Sequence, residues 1–202
     1  MHREEVFAAR VEYVSLPPNV STVGELKAAG YQHRTLRAEI RENLLAKLRA
    51  GEDPWPGLHG LDQTVIPQVE RALIAGHDIV LLGERGQGKT RLLRSLVALL
   101  DDWIPIVAGS ELREDPFAPI TDATRERAEK EGDGLAVDWV TRDDRYAEKL
   151  ATPDTSVADL IGDIDPMRVA EGRRLGDPET IHYGLIPRSN RGIVAINELP
   201  DL

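Results

Sequence analysis

The stretch Gly83-Glu84-Arg85-Gly86-Gln87-Gly88-Lys89-Thr90 sets glycines, one lysine and one hydroxyl at the spacing G-x-x-x-x-G-K-[ST]. Those residue types in that order suit a phosphate chain. Glycines let successive backbone amides converge on one point, and the start of a following helix adds partial positive charge there. Lys89 contributes an ammonium against the outer phosphates, and the Thr90 hydroxyl can ligate a magnesium ion. Gly83, Glu84, Arg85, Gly86, Gln87, Gly88, Lys89 and Thr90 are therefore the candidate nucleotide-binding residues. Chance yields the pattern in about 3 of 1,000 chains of this composition, before any demand on its flanks. A plain turn is the alternative.

The flanks agree with a phosphate loop. Ile79 to Leu82 is a short apolar run with a β-branched start, as expected of a strand buried on both faces. Thr90 to Leu100 is apolar around most of a helical circumference, at Leu92, Leu93, Leu96, Val97, Leu99 and Leu100, and is expected to pack against a sheet. A second chemical group lies far downstream, where the apolar run Ile193 to Ile196 ends in Asn197-Glu198. In P-loop ATPases such a strand ends in two acids, the Walker B pair. One orders the magnesium ion and the other polarises the attacking water. Here the first acid is an amide. Asn197 can accept a hydrogen bond from a metal-bound water but brings no charge, so magnesium affinity is expected to be reduced. Glu198 and Lys89 are the catalytic candidates, and Thr90 and Asn197 (through water) the magnesium candidates. That Asn197 and Glu198 simply close a strand is the other reading.

The remaining chain must position these groups. With 202 residues, 41% apolar and 30% charged, it can bury a core of useful size. The absence of cysteine excludes disulfides, thiolate metal sites and thiol nucleophiles. No apolar run approaches the length of a membrane span, and nothing near Met1 reads as a signal peptide, so a cytoplasmic, membrane-free location is expected. A net charge of −10 and 4% aromatics disfavour nucleic-acid binding. The histidines lack metal-ligand spacing, and Trp55, Trp103 and Trp139 read as packing residues.

Punctuation divides the chain in three. Residues 1–20, with Pro17-Pro18, are expected to form a mobile leader. Residues 21–57 read as a helical segment. Thr22 and Glu25 form a capping box for a short helix to Ala29. Arg34 to Ala50 is an amphipathic helix with Leu36, Ile40, Leu44 and Leu48 inward, Arg37, Glu39, Arg41, Glu42 and Lys47 on a solvated face, and Gly51 at its end. Pro54 to Gly57 marks a boundary, and residues 58–202 form the main domain. There Asp62 is expected to cap a helix to Ala75, weakened by Pro67 and ended by Gly76. The segment Glu111 to Gly134 reads as a solvated acidic insertion.

Three tracts in order, Gly83 to Thr90, Ala151 to Gly162 and Gly184 to Glu198, resemble the ATPase subunit (subunit I) of magnesium chelatase, a ring-forming AAA+ ATPase. Asp115-Pro116-Phe117 is similar to a further landmark of that family. The resemblance covers roughly residues 58–202. It implies an α/β fold, a three-layer P-loop NTPase (AAA+) core with a parallel sheet, incomplete here and preceded by the helical segment. It also implies ATP and Mg2+ as cofactors, a homo-oligomeric ring, and a protein partner bearing a metal-dependent adhesion domain. By the same resemblance, residues 163–186 contain a β-hairpin, although their turn residues suit a plain loop equally. Leu58-His59-Gly60 stands where the family approaches the adenine, and Arg188 and Arg191 stand where rings place interface arginines, although both read equally as surface charges. The family's sensor 1, arginine finger and lid would follow Leu202. The chain is thus expected to be an N-terminal fragment ending just after Walker B, weakly active by itself.

The function expected is ATP binding and hydrolysis coupled to remodelling of a partner protein. A nucleotide-binding scaffold with little or no hydrolysis is the alternative that Asn197 motivates. A GTPase would need an N-K-x-D segment, which does not occur, and a kinase would not normally carry the glutamate after its second strand.

Overall fold

The computed structural model describes residues 19–84, 86–172 and 180–199; most of the expected leader, Arg85, and the turn residues Gly176, Asp177 and Pro178 lie outside them. The architecture is mixed α/β. Helices α1 (Val23–Ala28), α2 (Leu36–Ala50), α3 (Ile66–Ala75) and α4 (Lys89–Ser95) come first. Then follow β1 (Trp103–Val107), α5 (Asp122–Glu131), β2 (Val137–Thr141), β3 (Tyr146–Leu150), α6 (Val157–Leu160), β4 (Gly162–Ile164), α7 (Pro166–Ala170), β5 (Ile181–Tyr183), α8 (Leu185–Arg188) and β6 (Ile193–Asn197). Strands pair two by two: β1 with β2 and β4 with β5 antiparallel, β3 with β6 parallel. Among the described residues the expected single parallel sheet is thus represented by one parallel pair.

Local chemistry explains the helix limits. Thr22 caps α1 by accepting from the Glu25 amide at 3.3 Å, while the Glu25 carboxylate reaches back to the Ser21 amide at 2.7 Å. Thr35 caps α2, and Gly51 closes it in the left-handed conformation that glycine adopts without a Cβ clash. Asp62 does not cap α3. That helix starts at Ile66 with Pro67 in its first turn, where the missing N–H costs nothing, and so it runs unkinked to Gly76. The helix expected to reach Leu100 instead tightens at Leu96 into a 3₁₀ turn, Leu96–Leu99.

The main core is helical. Ile40 and Leu44 of α2, Ile66, Val69 and Leu73 of α3, and Leu92, Leu96, Leu99 and Leu100 form one buried cluster with Trp55 and Leu58. Leu92 of α4 and the 3₁₀ turn that follows it therefore lie in one cluster with α2 and α3, against which Ile193 of β6 also packs, and residues on both sides of Pro54–Gly57 share the cluster. Leu48 stays exposed beyond its edge. A second cluster joins Val23 and Leu26 of α1 to Val107, Leu135 and Val137. Trp55 and Trp139 pack as expected, each with its indole N–H satisfied, by Glu70 and the Val20 carbonyl respectively.

The expectation of a solvated Glu39 is overturned, and of the two readings open for Arg191 the surface charge does not hold. Glu39, placed on the polar face of α2, is buried and takes Arg145 bidentately at 2.7 and 2.6 Å, while its Oε1 also accepts the Asp101 amide at 2.7 Å. Arg145, itself 1% exposed, donates from Nε and Nη2 to the Arg191 carbonyl at 2.9 and 2.7 Å. Arg191 is not a surface charge either. Its guanidinium binds Asp115 at 2.8 Å and the Pro105 carbonyl at 2.5 Å, whereas Arg188 does form a surface pair, with Glu111. Long-range partners invisible to helical periodicity decide both burials. Within 111–134, α5 is solvated, but Glu114 is buried and accepts from the Ile120 and Thr121 amides and three hydroxyls.

Breaking the Glu39–Arg145 pair from one side strands a buried charge. Arg145→Met should cost roughly 3–5 kcal/mol in urea denaturation, and adding Glu39→Met should recover much of that loss. Glu114 gives an acid limb. Burial works to raise its pKa, but the Thr121 and Ile120 amides and the Thr124 and Ser110 hydroxyls outweigh it, and the carboxyl is held below its ordinary value. Its stabilisation is therefore full above the unfolded carboxyl's pKa and lost as pH falls through the lower, folded one. Thermal midpoints of Glu114→Gln should fall by the equivalent of about 1–3 kcal/mol at neutral pH and vary less with acidification than those of the parent.

Candidate functional site

The phosphate-loop motif folds as a loop feeding a helix. Gly86 and Gly88 take φ of 82° and 80°, and Gly88 is the N-cap of α4, so that the motif's lysine is the first helical residue. No side chain caps this end, which leaves its first amides directed at the loop. Lys89 Nζ donates to the Gly83 and Glu84 carbonyls at 2.7 and 2.6 Å, holding the ammonium inside the loop. A Cβ at Gly83 would stand 2.3 Å from Gln87 Oε1, so the exposed Gln87 side chain would have to swing aside. Thr90 is half-buried in the first turn, while Gly86, Gln87 and Gly88 are exposed.

The lead-in differs from expectation. Ile79 to Leu82 carries no strand pairing among the described residues, and Val80 and Leu82 are 69% and 89% exposed while Ile79 and Leu81 are half-buried. A strand needs a neighbour to take its amides and carbonyls, and among the described residues none lies beside this run. A groove of about 850 Å³ opens between it and α3, lined by Leu61, Val65, Val69, Ala72, Ile79 and Leu81 and reaching Gln87 and Lys89.

The downstream group does sit on a strand. Asn197 ends β6, paired in register with Leu150 of β3. Glu198 follows at φ 54° with its side chain exposed, a left-handed conformation that costs a non-glycine residue of order 1–2 kcal/mol. Asn197 Nδ2 donates to Glu148 Oε1 at 2.7 Å. Arg94, one turn beyond Thr90 on α4, grips the same carboxylate with Nε at 2.9 Å and Nη2 at 3.2 Å. The chain Arg94–Glu148–Asn197 thus joins α4 to the end of β6, just before Glu198.

Sequence reasoning missed Arg94 and Glu148. Each lies in a run of ordinary amphipathic residues with no motif spacing, and only strand pairing brings them together. Hydrogen bonds from Arg94, joined by its charge and by bonds from Tyr146 and Asn197, outweigh burial and lower the Glu148 pKa. Burial first, and Glu148 second, push the Tyr146 phenol up to about 12, so it remains a donor at neutral pH, 3.2 Å from Glu148. Among the described residues no cluster of three or more His, Asp or Glu could hold a metal by itself. A magnesium ion here would need phosphate oxygens together with the Thr90 hydroxyl, and that donor set fits its preference for a few protein ligands plus water.

Comparison with known proteins places these residues in context. The chain is 33% identical over 123 residues to the magnesium-chelatase subunit ChlI-1, chloroplastic, of Arabidopsis thaliana, a match covering 60% of this chain and 27% of that protein. It is 29% identical over 125 residues to the magnesium-chelatase subunit ChlI of Anabaena variabilis, covering 60% of this chain and 33% of that one. The curated homologues are magnesium-chelatase ChlI subunits. The match spans about a quarter to a third of the length of these relatives. No family model matches the chain, and no solved structure does. Among the described residues no helix is long and apolar enough to cross a membrane.

The positive φ at the loop glycines sets a test that needs no ligand. Gly88→Ala should lower stability by about 1–2 kcal/mol through the left-handed penalty alone, since a Cβ there meets nothing within 4 Å. Thermal denaturation of the protein without nucleotide measures it.

Proposed function

We propose that the chain is the nucleotide-binding part of a magnesium-dependent AAA+ ATPase of the ChlI kind. The observation that carries this reading is the Lys89 ammonium held inside a glycine loop at the start of α4, on a helix tied through Arg94 and Glu148 to the strand bearing Glu198. The similarity to ChlI subunits supports it. Lys89 would exchange its two carbonyls for phosphate oxygens, and the amides at the start of α4 would add donors to the same anion. Bound magnesium would neutralise charge on the phosphates, with Thr90 as a ligand and Asn197 reached through water. Glu198 would orient the attacking water and take its proton.

Assembly into a ring, a partner with a metal-dependent adhesion domain, and coupling of hydrolysis to remodelling of that partner are further parts of the proposal, drawn from the ChlI resemblance. A second reading, a nucleotide-dependent scaffold with little turnover, draws on one observation: the strand-end position of the usual magnesium-ordering acid is an amide, hydrogen-bonded to a neighbouring strand.

Titration with a fluorescent ATP analogue and magnesium separates these outcomes. Lys89→Ala should weaken binding at least about tenfold, and Glu198→Gln should leave binding intact while lowering hydrolysis by about 10²-fold or more. Binding that is tight in wild type, with turnover unaffected by Glu198→Gln, favours the scaffold; no binding at all overturns both.

A further inference from the structure

The side chain of Asn197 lies against a carboxylate. Glu148 accepts from Asn197 Nδ2 at 2.7 Å, from Arg94 at 2.9 and 3.2 Å and from the Tyr146 hydroxyl at 3.2 Å, so donors surround it from β6, α4 and its own strand. This environment distinguishes an amide from an acid. Asparagine offers a donor, whereas an aspartate in the same place would set acceptor against acceptor, with no hydrogen between the two carboxylates. With one N–H of its amide committed to Glu148, Asn197 has its carbonyl oxygen as the acceptor that can turn toward a metal-bound water.

We propose that Glu148 is a positioning residue of the nucleotide site, holding Asn197 by its amide nitrogen so that the carbonyl oxygen of Asn197 is the atom presented to a metal-bound water. The proposal rests on the reading of Gly83–Thr90 and Glu198 as a magnesium-nucleotide site. On this view Asn197 is not an eroded acid. It is the isostere that Glu148 demands, and Arg94 fixes Glu148 to the helix that opens with Lys89 and Thr90. An aspartate at 197 would therefore harm the site. Substituting both members of the pair, so that acid and amide change places, would restore the donor-acceptor match.

The test compares wild type, Asn197→Asp, Glu148→Gln and the double variant. Each is titrated with a fluorescent ATP analogue with and without magnesium, and thermal midpoints are taken on the same samples. Asn197→Asp should lose about tenfold of the affinity gained from magnesium, and adding Glu148→Gln should recover most of that loss as the new amide donates to the new carboxylate. Glu148→Gln alone should reduce the magnesium-dependent gain several-fold, by clearly more than it changes magnesium-free binding, a separation that a purely structural ion pair would not produce. Magnesium-dependent affinity in Asn197→Asp equal to or above wild type, or a double variant no better than Asn197→Asp, overturns the proposal. If Asn197→Asp does not fold, binding by the double variant decides between the same two outcomes. If wild type binds no analogue, the nucleotide-site reading fails and the positioning role falls with it, while coupled thermal midpoints would still report the Glu148–Asn197 contact.

Discussion

The buried contact between Glu39 and Arg145 organises the molecule. Arg145 has almost no exposure, and its guanidinium serves two masters: the Glu39 carboxylate on α2 and the Arg191 carbonyl just before β6. Glu39 in turn accepts the Asp101 amide behind the P-loop helix. Three distant stretches are thereby held around one charge pair whose hydrogen-bonding capacity is nearly filled, the condition under which a desolvated ion pair is tolerated. Gly192 permits the approach, since a Cβ there would stand 2.4 Å from the Arg145 carbonyl oxygen.

From that pair the route to the candidate site is short. Arg145 immediately precedes β3, whose Glu148 grips both α4 and the end of β6. The helical cluster with α2 and α3 fixes the other side of α4. Arg191, at φ 60°, hands on the constraint by binding Asp115, to which Tyr31 donates at 3.2 Å and His33 adds a 3.0 Å contact. Polar contacts set the relative placement of elements, and apolar burial supplies the cohesion. The elements from α2 to β6 meet through side chains far apart in sequence.

Elements governed by local rules were legible before any fold. The α2 stripe and its Gly51 terminus, the Thr22 cap, the glycine loop before α4 and the strand ending at Asn197 all follow from periodicity, capping chemistry or left-handed glycines. Less legible were features that depend on neighbours. The apolar run Ile79–Leu82 has the composition of a buried strand yet leaves Val80 and Leu82 exposed, because composition states a preference for burial and pairing but cannot provide the partner. Glu39 and Glu114 follow the same logic in reverse, polar by type and buried by circumstance.

The amino-acid sequence by itself determined the chemistry available: a glycine loop with Lys89 and Thr90, a carboxylate at Glu198, an amide at Asn197, and no thiol. Tertiary structure alone decided what that amide faces and which charges leave water. Hydrogen-bond donors and acceptors are local properties of residues. Their pairing is a property of elements brought together across long loops, and the parallel register that lays Leu150 beside Asn197 carries Glu148 into reach of both Asn197 and Arg94.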